Sequence, residues 1–161
     1  MKFLLRMMIA LFLVSFFVTA SGIAAEANPE IKPEIKKELK AFLNQYREAF
    51  KAKNTDAVMA AYASDALLMG TGPGELYEGK DAIRKAHVEF FKSFDKEDPS
   101  IEWFKAGAKG DFAWISAVVK FTSSMKDKKG EFQINSTSVL EKRNGKWVFI
   151  VRHFSNLVSG K

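Results

Sequence analysis

Asn144-Gly145 lies between two runs that read as β-strands, and this turn constrains the chain more than any other feature. Both turn residues must reach positive φ, which Asn and Gly do at least cost, so the flanking runs fold back on each other as a hairpin. The incoming run, Glu131 to Arg143, carries β-branched residues, and the outgoing one, Lys146 to Leu157, is apolar from Trp147 to Val151 and again at Phe154 and Leu157. A lone hairpin is marginal in water, so the pair requires a wider sheet.

Upstream, two further runs, Ile101 to Ala108 and Phe112 to Ser124, are separated by Gly110-Asp111, and Lys126 to Gly130 leads into the hairpin. Each separator has the length of an ordinary hairpin connection. Before Pro99 the apolar period is helical instead. Ile35, Leu39, Phe42, Tyr46, Ala49 and Phe50 recur at spacings of three and four, which predicts an amphipathic helix from Glu34 to about Lys53. Thr55 can cap a short second helix through Tyr62, followed by the strand-like Ala66 to Met69 and a Gly70-Thr71-Gly72-Pro73-Gly74 loop. That loop lacks the Gly-Lys-Ser/Thr ending of a phosphate-binding loop and reads as punctuation. A third helix follows Gly79, with Ile83, His87, Phe90, Phe91 and Phe94 on one side, and ends near Asp95. Three helices and then an antiparallel meander give an α+β class, with the helices packed in the concave face of a curved sheet.

The first 27 residues read as a signal peptide: Lys2 and Arg6, the apolar run Met7 to Val18, then small residues and Ala25-Glu26-Ala27. The run is shorter than the roughly 20 residues a spanning helix needs. Cleavage is expected after Ala27, with Ala24 or Ala25 as alternatives, leaving one domain over residues 28–161 in the periplasm or outside the cell, without a membrane anchor. With no cysteine, neither a disulfide framework nor a lipid-anchored lipoprotein is possible, so the fold rests on core burial. The charge of +6 falls to about +5 once the leader's two cations and one anion are removed. Its lysines are scattered over helix faces and loops, a pattern that fits a solvated surface and no nucleic-acid partner.

Alternation in the last strand places Ile150, Arg152 and Phe154 on one face and Trp147, Phe149, Val151, His153 and Ser155 on the other. Helices cover one side only, so the apolar outer face carrying Trp147, Phe149 and His153 calls for another copy of the chain, a homodimer. Arg152, on an interior face between Ile150 and Phe154, must be paired, for example with Glu102 or Glu141, or await an anionic ligand. His87 on the buried stripe is a core histidine or an acid-base group. Tyr46 is core or a hydroxyl donor to a ligand oxygen. His153 with Ser155 lacks an orienting carboxylate and reads as a structural or interface pair. Two distant histidines, no cysteine and no clustered carboxylates suggest neither a metal site nor a cofactor.

Tyr46, Asn54-Thr55-Asp56-Ala57, Tyr62-Ala63-Ser64-Asp65-Ala66, Gly74 through Gly79, Gly110-Asp111 and Asn144-Gly145-Lys146-Trp147 to His153-Phe154-Ser155 together resemble a SnoaL-like domain. That family lies in the nuclear transport factor 2-like superfamily, with ketosteroid isomerase and the association domain of calcium/calmodulin-dependent kinase II. The resemblance implies a cone-like fold with a pocket between helices and sheet and dimerisation on the outer sheet face. It places Tyr46 at the isomerase's oxyanion-binding tyrosine, but its catalytic base falls on Gly70 and its second oxyanion donor on Ser138. Without a base at Gly70, isomerisation by that mechanism is not expected. The expectation is an exported small-molecule-binding protein whose pocket, formed by Tyr46, His87, Trp114, Ser138, Arg152 and Phe154, takes a hydrophobic molecule with an anionic or carbonyl end. An enzymatic form would use His87 as base with Tyr46 and Arg152 on the oxyanion. The alternative is a non-catalytic oligomerisation module.

Overall fold

A computed structural model describes residues 31–125 and 128–157; the expected leader, residues 1–27, lies outside them. Helix α1, Pro33–Lys51, starts on a proline whose missing N–H costs nothing in the first turn, with Glu34 in the first turn and Lys51 in the last to suit the helix dipole. Its stripe buries Leu39, Ala49 and Phe50 and lays Phe42 and Tyr46 against the core. Lys53, at a left-handed φ of 52°, turns the chain into α2, Thr55–Ala60. Asn54, not Thr55, caps this helix: its side chain accepts the Ala57 N–H at 3.0 Å. Strand β1, Tyr62–Met69, starts four residues earlier than the sequence suggests, because Tyr62 pairs with Phe149 rather than extending α2. A short strand that the sequence did not reveal, β2, Leu76–Glu78, pairs antiparallel with β1 before α3, Gly79–Ser93.

The meander follows as expected, with the first three strands longer and the last ending one residue earlier: β3 is Lys96–Lys109, β4 Phe112–Met125, β5 Lys128–Arg143 and β6 Lys146–Asn156. Asn144 and Gly145, at φ 52° and 75°, make the turn between the last two. The sheet order is β2-β1-β6-β5-β4-β3, antiparallel except where β1 runs parallel to β6. The class is therefore α+β, three helices on one face of an open, largely antiparallel sheet.

A bulge decides which side chains face the helices. Val139 pairs with Val151 but Leu140 pairs with Phe149, so Ile150 is an extra residue on β6 and the alternation slips there. Trp147 and Phe149 therefore lie on the same face as Arg152 and Phe154, and they are buried against α1. Phe149 meets the Phe42 ring edge-on at 4.9 Å between centroids. This corrects the expectation that Trp147 and Phe149 belong to the outer face; His153, which is exposed, does.

Trp114 is a second correction. Its strand neighbours Ala113 and Ile115 are buried toward the helices, whereas Trp114 faces the other way, over Gly107 on β3, where an added Cβ would collide with the indole ring. It heads an apolar row across the outer face in which Trp114 pairs with Val139, Val139 with Val151 and Val151 with Leu67.

Candidate functional site

The slip at Ile150 brings Arg152 into the core, next to Leu68 of β1 and Ser138 of β5, its partners in register. The residue is 8% exposed. Its Nε donates to Ser138 Oγ at 3.3 Å and its Nη1 to the Tyr62 hydroxyl at 3.0 Å. Four rings enclose the guanidinium, with Cζ at 4.2 Å from the Phe149 centroid, 4.7 Å from Phe154, 4.8 Å from Tyr46 and 5.9 Å from Tyr62. Their π faces attract the cation. No carboxylate among the described residues pairs with it: Glu141 is taken by Arg143 at 2.6 Å, and Glu102 accepts from Gln133 at 2.5 Å. A buried arginine is ordinarily matched by an anion. Here the bonds to Ser138 and Tyr62 occupy two of the five N–H donors a guanidinium carries, and the Tyr46 hydroxyl is a further oxygen beside it.

Tyr62 and Tyr46 hydroxyls stand 3.5 Å apart, so α1 and β1 each bring a phenol to the guanidinium. Burial pushes the Tyr62 phenol well above the usual tyrosine range and keeps it a neutral donor. His87 packs its ring edge against Tyr62, centroids 5.6 Å apart, with Phe50 and Phe91 on its other sides. Its Nδ1 donates to the Ile83 carbonyl at 2.9 Å, which leaves the lone pair on Nε2. Burial lowers its pKa to about 4, and the Arg152 charge works in the same direction.

Of the residues singled out from the sequence, Tyr46, His87, Ser138, Arg152 and Phe154 come together on the helix-packed face, and Trp114 does not join them. Sequence reasoning missed Tyr62 and Phe149, the first because β1 begins at it without a polar break, the second because of the bulge. It also missed Glu97. This carboxylate lies on the inner side of β3, 1% exposed, with no hydrogen bond to either oxygen among the described residues. Burial raises its pKa to about 7 against the pull of Lys53, whose ammonium donates to the carbonyls of Phe91 at 2.9 Å and Phe94. Lys96-Glu97-Asp98-Pro99 reads as a polar loop, so nothing in the sequence marks the burial.

On the far side of Tyr46 a groove of about 490 Å³ opens between α1, α2 and the β5–β6 turn, walled by Ala57, Ala60 and Ala61 and floored by Trp147. Glu38 closes one end, accepting from Lys142 Nζ at 2.7 Å and Trp147 Nε1 at 2.9 Å.

Structural comparison finds the same fold in a calcium/calmodulin dependent protein kinase II association domain-like protein from Xanthomonas campestris, 28% identical over 77% of this chain and 89% of that one, with a TM-score of 0.70. A nuclear transport factor 2-like protein of unknown function from Pseudomonas putida is 16% identical over 80% and 90%, TM-score 0.72. A proposed dehydratase of the same superfamily from Streptomyces avermitilis is 12% identical over 80% and 100%, TM-score 0.69. No curated protein matches the sequence. The model of the SnoaL-like domain matches residues 39–159, from the buried Leu39 of α1 through the whole of β6, and so takes in every side chain around Arg152. On that match the chain belongs to the SnoaL-like domain family.

Proposed function

We propose that this chain is an exported protein that binds a small hydrophobic molecule through its anionic or carbonyl end, with Arg152 as the contact for that end. One observation carries the reading: a buried guanidinium has aromatic walls and, among the described residues, hydroxyl partners but no carboxylate partner. The Tyr46 hydroxyl adds a second donor beside it. Isomerase, cyclase or dehydratase chemistry fits the same arrangement, since charge developing on a carbonyl oxygen is stabilised by fixed donors in a dry site. His87, neutral at pH 7 with its lone pair on Nε2, is the proton acceptor that the sequence suggests. Proposed dehydratases among the structural relatives are consistent with such chemistry.

The test is thermal stabilisation of the mature protein by 2-naphthoate and by neutral 2-methylnaphthalene, repeated in Arg152→Met. A ligand that binds the native state raises the melting temperature by mass action. Stabilisation by the acid that vanishes in the variant supports the reading; equal stabilisation in both proteins removes Arg152 from it.

The second reading, a non-catalytic assembly module, draws on the likeness to the association-domain protein and on the apolar outer row of Trp114, Val139, Val151 and Leu67. A homodimer through this face is compatible with both readings, because it leaves the Arg152 side of the sheet untouched.

A further inference from the structure

An open volume lies one ring away from Arg152. Tyr46 has the guanidinium 4.8 Å from its centroid and also lines the groove between α1, α2 and the β5–β6 turn. Phe42, another lining residue, meets Phe149 at 4.9 Å, and Phe149 stands 4.2 Å from Cζ. A single layer of rings therefore separates the cation from about 490 Å³ of space. Those rings are not held equally: Phe149 is 1% exposed, whereas Tyr46 is half-buried and its hydroxyl makes the longest hydrogen bond of the cluster, 3.5 Å to Tyr62. The groove runs along α1, since Glu38, Ala41, Phe42, Gln45 and Tyr46 share one helix face and span about 12 Å. Its ends differ in charge. At one, Glu38 Oε2 accepts from Lys142 and Trp147, and Oε1 has no hydrogen-bond partner among the described residues. Arg152 stands behind the other. Between them the side chains are apolar or aromatic apart from Gln45 and Lys146, both exposed.

We infer that the groove seats the body of the Arg152 ligand, and that this ligand is a flat, rod-like aromatic acid with a hydroxyl or other hydrogen-bond donor at its far end. The inference rests on the reading of Arg152 as the contact for an anionic end. Orientation follows from the charges: Glu38 repels a carboxylate from its own end and accepts the far donor on Oε1, a charge-assisted bond. The rings of the ligand lie over Trp147, against walls kept low by Ala57, Ala60 and Ala61, where their apolar surface leaves water. Tyr46 is the door. By turning about χ1 it opens the guanidinium to the groove, at the loss of one ring contact and of its 3.5 Å bond to Tyr62. The carboxylate that then enters supplies the anion that a buried arginine ordinarily has.

The experiment measures by titration calorimetry the affinity of the mature protein for 4′-hydroxybiphenyl-4-carboxylate, for biphenyl-4-carboxylate, which lacks the far donor, and for 4-phenylphenol, which lacks the acid. The hydroxy acid should bind about tenfold more tightly than either. Ala57→Phe and Ala60→Phe fill the groove from exposed positions, so each should leave the melting temperature of the free protein unchanged and weaken binding about tenfold. Glu38→Leu should abolish the advantage of the hydroxyl, and Lys146→Met should change nothing. Tyr46→Ala, which takes the door away, should speed association in stopped flow about fivefold or more. Binding that depends on Arg152 but is untouched by both groove variants overturns the inference and leaves the Arg152 reading standing, and an unchanged rate in Tyr46→Ala overturns entry past that ring. Binding that is lost in the groove variants yet survives in Arg152→Met, or that follows Lys146 instead, overturns the inference together with that reading; no binding of any of the three compounds removes both.

Discussion

Arg152 Nη1 donates to the Tyr62 hydroxyl at 3.0 Å, joining β6 to the first residue of β1 across the strand pair that is parallel. A charge and a phenol thus hold together two strands far apart in sequence. The guanidinium remains dry because four rings replace its water, and each hydrogen bond it makes goes to a neutral oxygen.

Since no ion pair among the described residues depends on Arg152, removing its charge should cost less than removing its bulk. Arg152→Met keeps most of the volume between Phe149 and Phe154, and its stability in urea should stay within about 1 kcal/mol of wild type. Arg152→Ala leaves a cavity among aromatic rings and should lose about 3 kcal/mol. Equal losses in the two variants would mean that the charge, not the packing, holds the site together.

His87 gives the protein an acid-sensitive component. Its pKa falls from 6.5 in the unfolded chain to about 4 in the folded one, so between those values the unfolded state binds more protons and stability rises with pH. On the order of 3 kcal/mol is present above pH 6.5 and lost as pH drops through 4. In His87→Gln the slope from this residue should vanish, as measured by urea unfolding at intervals from pH 4 to 7.

If the outer row makes a dimer, the wild-type mature protein sediments as a dimer at micromolar concentration. Val139→Lys, in the middle of that row, should then give a folded monomer, because an unpaired ammonium cannot be buried in the interface. Trp147→Glu should instead unfold the chain, since Trp147 is 5% exposed against α1. A wild-type monomer in the ultracentrifuge would end the dimer proposal.

The helices and the meander were legible because their signals are local. The stripe from Leu39 to Phe50 repeats every three or four residues, and Asn144-Gly145 admits few conformations besides the tight turn it makes. Facing was less legible. Trp147 to Val151 is apolar without interruption, so no alternation exposes the extra residue at Ile150, and one slip moved Trp147 and Phe149 to the wrong side. Trp114 misled through its size: the helix-packed side of β4 takes Ala113 and Ala117, where the helices leave little room, and the large ring goes outward. Arg152 was legible as an anomaly and Tyr62 was not, because a charge in an apolar run demands an explanation and a tyrosine does not. Glu97 owes its position to the pairing of β3 with β4, where Ser123 lies opposite it, a contact that the local sequence does not show.

Glu97 should act on stability in the sense opposite to His87. Its pKa rises from 4.5 in the unfolded chain to about 7, so between these values the folded state holds the extra proton and stability falls as pH rises. The loss is on the order of 2 to 3 kcal/mol and is complete above pH 7. In wild type the two slopes oppose each other from pH 4.5 to 6.5, which should leave the profile nearly flat there. Glu97→Gln removes the ionisation and keeps the shape, and it should raise stability at pH 8 by about 2 kcal/mol while changing little at pH 4.5. With the His87 slope then unopposed, the variant's stability should climb steadily from pH 4 to 6.5. A variant less stable than wild type at pH 8 would mean that the charged carboxylate is matched in the folded protein, with Lys53 turning from the Phe91 and Phe94 carbonyls to meet it.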